Sequence, residues 1–479
     1  MENNKSQVVY NSAKPWQIGF FALNNTATNI YMFVFMFISY YATGIAGLLV
    51  VAVSTILTAM RIFDGITDPI IGYIIDKTKS KFGKFRPFML IGNVILAISA
   101  IIIFQTTHLI PQGFRLLYFV LIYVIYIIGY TFQTATTKSA QTVLTNNPKQ
   151  RPLFTLFDAI YNSALFIGLQ MLISMVLVPR YGGFTQDLFN TLLIIAIPMS
   201  LVFTVLAISS IWTKDVEANW GTGEVKKLKF KDYWPVVKGN RPLQMLIIAA
   251  STDKLANSTK SNAVTTVIIF GILIGNYALS GTIGLIAVIP TILITVFGIQ
   301  YARRLGIKKA YVVATVFSIL LSIGFLFYMW IIDLSTISLS ALNVQTIVFL
   351  LFWIVLAGAV AIGGNIVIPM IADCSDYETY RSGQYVPGMI GTIFSFVDKL
   401  ISSLATVIIG GMVAIIGYKE VLPQVGEAAT SELFWIGMTF FIFIPIAGWI
   451  ASLISMKFYK LDGDYMKKIQ QELHDRSVV

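Results

Sequence analysis

The residues best suited to chemistry lie in "RIFDGITDPIIGYIIDKTKSKFGKFRP", residues 61–87. Its apolar first part contains Arg61, Asp64, Thr67 and Asp68, which share one helical face because they are three or four residues apart. Two carboxylates one turn apart repel each other, and a charge at the bilayer centre costs about 2.5–3.5 kcal/mol. A bound Na⁺, a proton or a facing lysine removes that conflict, so these residues indicate a cation site.

A structural alternative stays open for the same residues. Arg61 and a distant lysine can neutralise both acids permanently, as in a buried ion-pair network. Against this, an ionisable residue inside a membrane is a functional candidate by default, and here several cluster.

The elements that position these residues are membrane helices. The chain has 479 residues, 56% hydrophobic and 12% charged, whereas soluble domains are about a quarter charged. Apolar runs long enough to cross a hydrocarbon core of about 30 Å recur along its length. They predict an all-α integral membrane protein with twelve transmembrane helices, at 17–43, 48–75, 87–106, 116–143, 153–178, 187–212, 242–274, 280–301, 309–332, 346–372, 386–416 and 432–457. The first span is too long, and too polar on one side, for a cleaved signal peptide.

Charge and composition also restrict location and partners. With the N-terminus inside, nearly all basic residues fall on one side, which predicts a multi-pass protein of the cell membrane with both termini cytoplasmic. This topology accounts for the net charge of +11 and disfavours a nucleic-acid partner. Cys374 is the sole cysteine and the two histidines are His108 and His474, so neither a disulfide nor a His-ligated metal is expected. We expect no cofactor beyond a coupling ion, a lipid environment and a functional monomer.

The longest polar loop divides the chain into six spans and six spans. We predict an N-terminal bundle at 1–212, a cytoplasmic linker at 213–241, a C-terminal bundle at 242–460 and a cytoplasmic tail at 461–479. A weak repeat supports the division, because "YYATGIAGLLVVAVSTIL" corresponds to "IFGILIGNYALSGTIGLIAVIPTIL". Parallel six-helix repeats are typical of major-facilitator transporters, whose substrate site lies between the halves.

Polar side chains at helical spacing extend the candidate site, since a polar face in a membrane must contact protein or line a water-filled cavity. The substrate-binding candidates are Asn24, Thr28, Tyr31, Thr134, Lys138, Asp158, Asn162, Asn257 and Lys260. For each Thr or Asn, packing between helices or a bond to a carbonyl of its own helix is the alternative. For Lys138 a functional role is favoured over a packing role, because a lysine far from both membrane interfaces cannot easily extend its ammonium group to water.

Three segments resemble the glycoside–pentoside–hexuronide:cation symporters, the major-facilitator family that includes the melibiose permease. Residues 61–87 resemble its second helix and following loop, "IADCSDYETYRSGQ" (371–384) its loop after the tenth helix, and "GTIFSFVDKLISSLA" (391–405) its lysine-bearing eleventh helix. The similarity is collinear over nearly the whole chain. It implies a cation-coupled symporter of a glycoside, pentoside or hexuronide.

The resemblance also assigns the cation side of the site. Asp64 and Asp68 correspond to the cation-site carboxylates, which are metal ligands if the ion is Na⁺, Thr131 to a threonine near the cation, and Lys399 to the lysine beside it. Thr67 replaces an asparagine of the sodium-using melibiose permease, so the oxygen is kept and the amide is lost. H⁺ and Na⁺ therefore both stay open as the coupling ion. We also expect Lys399 to face Asp64 or Asp68.

The sugar side departs from that pattern. Thr28 and Thr134 stand where the melibiose permease has galactoside-binding aspartates, Lys138 replaces a tryptophan, and Asp158 lies close to the position of an arginine. A galactoside such as melibiose is therefore disfavoured.

The balance of buried charge gives a further hypothesis about the substrate. Leaving aside the end residues of the predicted spans, five basic and five acidic residues lie within them, so a cation together with an acidic sugar preserves neutrality; these residues are Arg61, Lys138, Lys254, Lys260, Lys399, Asp64, Asp68, Asp158, Asp253 and Asp398. Lys138 is expected to meet the carboxylate; the alternative is that it pairs with Asp158.

Two rival functions compete with sugar symport. A lipid or lysolipid transporter of the same fold would need an apolar cavity. A polytopic membrane enzyme would need a segment outside the membrane that is long enough to build a soluble active site, and the predicted loops are shorter than that.

Overall fold

The computed structural model describes residues 11–145, 147, 150–220, 233–340, 342–383 and 387–478. Within these ranges all regular secondary structure is helical and no strand occurs, which confirms the predicted all-α membrane fold. Eleven helices among these residues are long and apolar enough to cross a membrane. Residues 221–232 of the predicted linker and Gln384 of the predicted loop lie outside the described residues.

The helices follow one another along the chain with short connections. Their bounds are α1 (Pro15–Phe35), α2 (Ile38–Gly44), α3 (Val50–Lys77), α4 (Arg86–Thr106), α5 (Gln112–Ser139), α6 (Gln141–Leu144), α7 (Arg151–Met171), α8 (Val178–Tyr181), α9 (Gln186–Ile211), α10 (Tyr233–Gly239), α11 (Arg241–Lys260), α12 (Ala263–Thr266), α13 (Ala278–Leu305), α14 (Ile307–Ile331), α15 (Val344–Ser382), α16 (Pro387–Ile415), α17 (Ser431–Met438), α18 (Ile444–Phe458) and α19 (Gly463–Val478). Short π-helical turns at 172–177, 267–273 and 439–443 continue α7, α12 and α17.

The described residues fall into two compact units. One comprises Met1–Leu49 with Ile62–Val225, and the other Val50–Arg61 with Lys226–Val479. The predicted bounds of the bundles, linker and tail stay predictions, and the sequence did not predict the grouping of Val50–Arg61 with the second unit. This first half of α3 is tied to the second unit by hydrogen bonds from Thr58 Oγ1 to the Ser403 carbonyl (3.0 Å) and from the Val50 amide to the Lys419 carbonyl (3.0 Å).

Buried polar side chains and glycines join the helices of the first unit. Asn93 of α4 donates to Ser200 Oγ of α9 over 2.6 Å, and Gln133 of α5 donates to the Met89 carbonyl of α4 over 2.6 Å. A Cβ at Gly92 would lie 3.1 Å from the Gly129 carbonyl, so α4 and α5 approach closely there. Close packing at small residues and hydrogen bonds between polar side chains commonly stabilise the contacts between helices in a membrane.

In the second unit, α11 packs against α16 and α18, while α15 packs against α13 and α14. A Cβ at Gly448 of α18 would lie 2.7 Å from the Thr252 carbonyl, so glycine permits the close contact with α11. Tyr311 of α14 and Ser452 of α18 are completely buried in this unit, and their hydroxyl oxygens are 2.6 Å apart.

In each unit the segment after the last membrane helix is hydrogen-bonded to the start of the third membrane helix or to the loop before it. In the first, the carboxylate of Asp215 accepts hydrogen bonds from the backbone amides of Lys84, Phe85 and Arg86 at 2.9–3.1 Å. In the second, Lys308 donates to the Tyr459 carbonyl over 2.5 Å. The correspondence agrees with the internal repeat of the sequence.

Two predicted segments differ from the structure. The span at 242–274 is interrupted, because α11 ends at Lys260 and the Asn262 side chain caps a new start at the Val264 amide over 2.9 Å. Residues 371–382, expected to belong to a loop after the tenth span, are instead helical and extend α15 to Ser382. That extension is held by Asn240, whose amide donates to the Cys374 carbonyl (3.0 Å) and to Glu378 (3.1 Å).

Candidate functional site

Three of the predicted cation-site residues form a contiguous oxygen cluster in the first unit. Asp64 and Thr131 are completely buried and Thr67 is 7% exposed. The Thr131 hydroxyl contacts Asp64 Oδ1 at 3.3 Å, and the hydroxyl oxygens of Thr67 and Thr131 are 3.0 Å apart. The cluster thus joins α3 to α5.

The helices themselves hold these hydroxyls in place. Thr67 Oγ1 donates to the Asp64 carbonyl over 3.0 Å, and Thr131 Oγ1 lies 2.9 Å from the Ile127 carbonyl. Such bonds to the preceding turn fix the rotamer of a helical threonine. Pro69 follows within α3 and lacks an amide proton, so it cannot make the regular bond to the Gly65 carbonyl.

The cluster is rich in oxygen atoms. Four contacts link the Asp64 carboxylate, two backbone carbonyls and the two hydroxyls. Carboxylate, carbonyl and hydroxyl oxygens are ligands of a hard cation such as Na⁺, and a carboxylate also binds a proton, so these residues fit either coupling ion. Within the described ranges, no three His, Cys, Asp or Glu side chains form a metal-binding group. Asp68, one turn along α3, is half-buried.

The predicted stripe on α1 faces the interior of the first unit. Asn24, Thr28 and Tyr31 are completely buried. Asn24 donates to Thr137 Oγ1 over 2.6 Å and Thr28 to the Asn24 carbonyl over 3.0 Å. Such contacts are those expected if the polar side chains serve packing between helices. The proposed substrate site therefore does not include Asn24, Thr28 and Tyr31.

A second row of polar side chains on α1, Asn25 and Asn29, is partly exposed, and with Asp158 and Asn162 of α7 it forms what we call the polar ladder. Asn25 donates to Asp158 Oδ1 over 2.8 Å, Asn162 donates to the same oxygen over 2.9 Å, and Asn29 donates to Asn162 Oδ1 over 2.8 Å. The ladder joins α1 to α7 and contains two predicted residues, Asp158 and Asn162. Asn25 and Asn29 were missed, although both are polar and one turn apart in the sequence.

Helix α5 continues this polar surface. Tyr130 donates to Met32 Sδ of α1 over 3.6 Å, and Thr134 and Lys138 follow Tyr130 at successive turns of α5. Thr134 is half-buried and Lys138 is exposed. No ion pair between described residues includes Lys138, and the contacts of Asp158 go to asparagines. The predicted alternative, a Lys138–Asp158 pair, is absent from that part of the chain.

The remaining charged candidates belong to the second unit. Asp398, next to Lys399 on α16, interacts electrostatically with Lys254, Arg61 and Lys399. Arg61 belongs to this unit because it ends the segment Val50–Arg61. The predicted approach of Lys399 to Asp64 or Asp68 stays a prediction.

Two further substrate candidates lie at the end of α11. Asn257 is exposed. The Lys260 ammonium lies 4.8 Å from the ring centroid of Phe441 and 5.8 Å from that of Trp353, which is the geometry of a cation–π contact. The sequence did not predict these aromatic partners, since they come from distant segments.

The chain matches a known family of transporters. A family model described as "MFS/sugar transport protein" matches residues 20–463. The chain belongs to this family. Its members and this chain's relatives are transporters, not enzymes, so the rival enzyme function is excluded.

Relatives and a solved structure agree with that assignment. The chain is 27% identical to the "Uncharacterized symporter YnaJ" of Bacillus subtilis (97% of this chain, 95% of the relative), 22% identical to the "Glucuronide carrier protein homolog" of Escherichia coli (91% and 93%) and 23% identical to the "Isoprimeverose transporter" of Lactiplantibacillus pentosus (95% and 91%). The crystal structure of the nucleoside transporter NupG superposes with a TM-score of 0.62 at 11% identity, covering 93% of this chain and 99% of that one. At that identity the match supports the fold alone.

Proposed function

We propose that this chain is a cation-coupled sugar symporter of the cell membrane, with both termini cytoplasmic, and that H⁺ or Na⁺ binds at the Asp64–Thr67–Thr131 cluster with Asp68. The observation that carries the proposal is the buried Asp64 carboxylate in contact with the linked hydroxyls of Thr131 and Thr67. A cation that enters such a site replaces lost hydration with oxygen ligands. Alternating access then uses the difference in cation and sugar affinity between the two states.

The sugar is assigned to the polar surface formed by α1, α5 and α7 in the first unit. Asn25, Asn29 and Asn162 offer amide groups and Asp158 a carboxylate, which together can donate to and accept from sugar hydroxyls. The surface is partly exposed, whereas Asn24, Thr28 and Tyr31 are completely buried.

Within the sugars, we propose an acidic one, such as a hexuronide, as the preferred class. Lys138 is exposed and makes no ion pair with a described residue. A lysine in this position can pair with a substrate carboxylate, because opposite charges in contact attract each other. A neutral glycoside is the alternative, since Asp158 on the same surface repels a carboxylate.

The direct test of coupling uses the purified full chain in proteoliposomes. A screen of neutral and acidic sugars by thermal shift, with and without Na⁺ and at two pH values, identifies a binder because ligands stabilise by mass action. Uptake of that sugar is then driven by an imposed Na⁺ or H⁺ gradient. We expect accumulation in wild type and its loss in Asp64→Asn, with Asp333→Asn, an exposed loop carboxylate, as the matched control. Equal accumulation in Asp64→Asn and wild type would remove the cation site from Asp64.

The acidic-sugar assignment has its own measurement. Uptake is competed with a glucoside and the corresponding glucuronide in wild type and in Lys138→Gln. We expect the glucuronide to compete better in wild type and to lose that advantage in the variant. If the neutral sugar is preferred, or if the variant changes neither, the neutral glycoside becomes the substrate class. Competition by lysolipids and not by sugars would instead favour the rival lipid transporter.

A further inference from the structure

The second unit contains a carboxyl group that the proposed cation site does not use. Asp253 lies in the middle of α11, and the Tyr311 hydroxyl of α14 hydrogen-bonds to its Oδ2. Oδ1 of the same carboxyl is buried with no hydrogen-bond partner among the described residues. Oδ2 is therefore hydrogen-bonded, whereas Oδ1 accepts no hydrogen bond from the described residues.

A chain of hydroxyls leads away from this carboxyl. Tyr311 and Ser452 are both completely buried, and their oxygens are 2.6 Å apart. These hydrogen bonds thus connect α11 through α14 to α18. Each hydroxyl both donates and accepts, so its direction can reverse: Ser452 to Tyr311 to Asp253 when the acid is ionised, and Asp253 to Tyr311 to Ser452 when it is protonated.

Asp253 has no cationic partner within the described residues. No ion pair there includes it, and the groups that act on it are Tyr311 and Ser452. The other charged side chains on α11 and the helices packed against it interact with other groups or lie near helix ends. Lys254 and Lys399 act on Asp398, Lys260 lies over Phe441, Lys308 donates to the Tyr459 carbonyl, and Glu378 pairs with Arg381 and accepts from Asn240. The remaining ones are the half-buried Asp373 and, near helix ends, Lys238, Arg241 and Lys457.

These facts favour a neutral acid at this position. An ionised carboxylate that is buried with one oxygen unsatisfied loses far more hydration than a neutral carboxyl does, so such a group takes up a proton instead. The protonated acid donates its O–H to Tyr311 and leaves a carbonyl oxygen, which tolerates an apolar surrounding better than a charge.

We propose that Asp253 is a proton-binding carboxyl of the second unit, with the hydroxyls of Tyr311 and Ser452 as its hydrogen-bonded partners. Proton uptake from water forms the Asp253 O–H bond and release returns that proton to water, while the two hydroxyls keep their own protons and only reverse the direction of their hydrogen bonds. The site is separate in sequence from Asp64 and does not depend on the proposed function, since it concerns protonation and not the transported sugar.

Infrared spectroscopy of the full chain in lipid nanodiscs tests the proposal directly, with the proton itself as the probe. A protonated carboxyl gives a C=O stretching band, separate from the amide bands, that shifts when H₂O is replaced by D₂O. We expect this band in wild type, its loss in Asp253→Asn and its retention in Asp64→Asn. Tyr311→Phe and Ser452→Ala keep the acid but alter its hydrogen bonding, so both should shift the band frequency.

The outcomes separate the proton site from a purely structural residue. Identical carboxyl bands in wild type and Asp253→Asn would overturn the proposal, and so would a band that is indifferent to both Tyr311→Phe and Ser452→Ala. Replacement of the band by a Na⁺-dependent carboxylate signal that Asp253→Asn removes would show a metal ion in place of the proton and also overturn it. Should Asp253→Asn not fold, the frequency shifts of the two hydroxyl variants decide, because they are measured on folded protein.

Discussion

Thr131 Oγ1 lies 3.3 Å from Asp64 Oδ1, and this contact connects α5 to the carboxylate on α3 inside the first unit. A second hydroxyl, that of Thr67, is 3.0 Å from Thr131 Oγ1. Thr131 therefore contacts the buried carboxylate oxygen directly, and Thr67 contacts Thr131. This arrangement makes the hydroxyl of Thr131 the most informative atom to remove.

We expect Thr131→Val to weaken cation binding while the chain still folds. A hydrogen bond to a charged group contributes about 1.5–3 kcal/mol, so cation affinity should fall about tenfold or more. Thr131→Ser keeps the hydroxyl and is the matched control. The measurement is the concentration of Na⁺, or the pH, that half-saturates the cation-dependent rise in melting temperature. Equal half-saturation in Thr131→Val and Thr131→Ser would contradict a role for this oxygen.

The sequence was sufficient to place Asp64, Thr67 and Thr131 together, since helical spacing and the family resemblance both concern local pattern. It was insufficient on α1, where Asn24, Asn25, Thr28 and Asn29 are all polar. Adjacent residues on a helix point about 100° apart, so pattern alone does not say which of the two stripes is exposed. In the structure the packing of neighbouring helices decides which row is buried, since Asn24 hydrogen-bonds to α5 and Asn25 to α7.

The helix count and bounds show a similar limit. Apolar length predicted most membrane helices, but α15 continues to Ser382 through polar residues because Asn240 and Arg381 satisfy Glu378 there. Likewise, the division of α3 after Arg61 depends on Thr58 and Val50 contacting residues more than three hundred positions away. Contacts of that range leave no mark in a local sequence pattern.

The charge of Asp158 should influence which sugars are accepted. Asn25 and Asn162 both donate to one carboxylate oxygen, a geometry that the carbonyl of an asparagine can also accept. Asp158→Asn should therefore keep the ladder and remove only its negative charge. We expect the preference for a glucuronide over the matched glucoside to rise a few-fold, on the order of 1 kcal/mol. Asn25→Ala, which breaks the ladder without altering charge, controls for geometry, and an unchanged preference in Asp158→Asn would separate this surface from the substrate carboxylate.

Asp215 should matter for stability and not for substrate choice. Its 1% exposed carboxylate accepts three backbone amides of the loop before α4 and the Trp220 indole N–H at 2.9 Å. Gly83, at φ +96°, allows this closeness, because a Cβ there would overlap the carboxylate. Asp215→Ala leaves several donors without their acceptor, and we expect a loss of about 3 kcal/mol or more in the free energy of unfolding.

The control for Asp215 is the exposed Asp464, whose pair with Lys467 spans 3.3 Å at the protein surface. Its replacement by alanine should change stability by less than about 0.5 kcal/mol. Unfolding in detergent, followed by thermal shift, compares the two variants with wild type. Similar losses for Asp215→Ala and Asp464→Ala would show that the Asp215 contacts contribute little.

Tyr418 gives a pH dependence whose sign follows from its surroundings. In the loop between α16 and α17, burial raises the pKa of Tyr418 above its usual value, and the hydrogen bond to Glu427 at 2.6 Å raises it further. The unfolded chain loses the phenolic proton near pH 10, whereas the folded chain retains it. The stabilisation is therefore fully present below about pH 10 and is lost as the pH rises from there toward the folded pKa.

We expect Tyr418→Phe to lower stability by about 1 kcal/mol at pH 8, because the hydrogen bond to Glu427 is removed. Above about pH 10, wild type should lose stability while the variant lacks this ionisation, so the difference between them shrinks. Melting temperatures of both proteins, measured at intervals from neutral to alkaline pH, report that difference. The exposed Tyr301, replaced by phenylalanine, serves as the control for general alkaline effects. A gap between wild type and Tyr418→Phe that stays constant or widens at alkaline pH would show that the Tyr418 proton is not held by this contact.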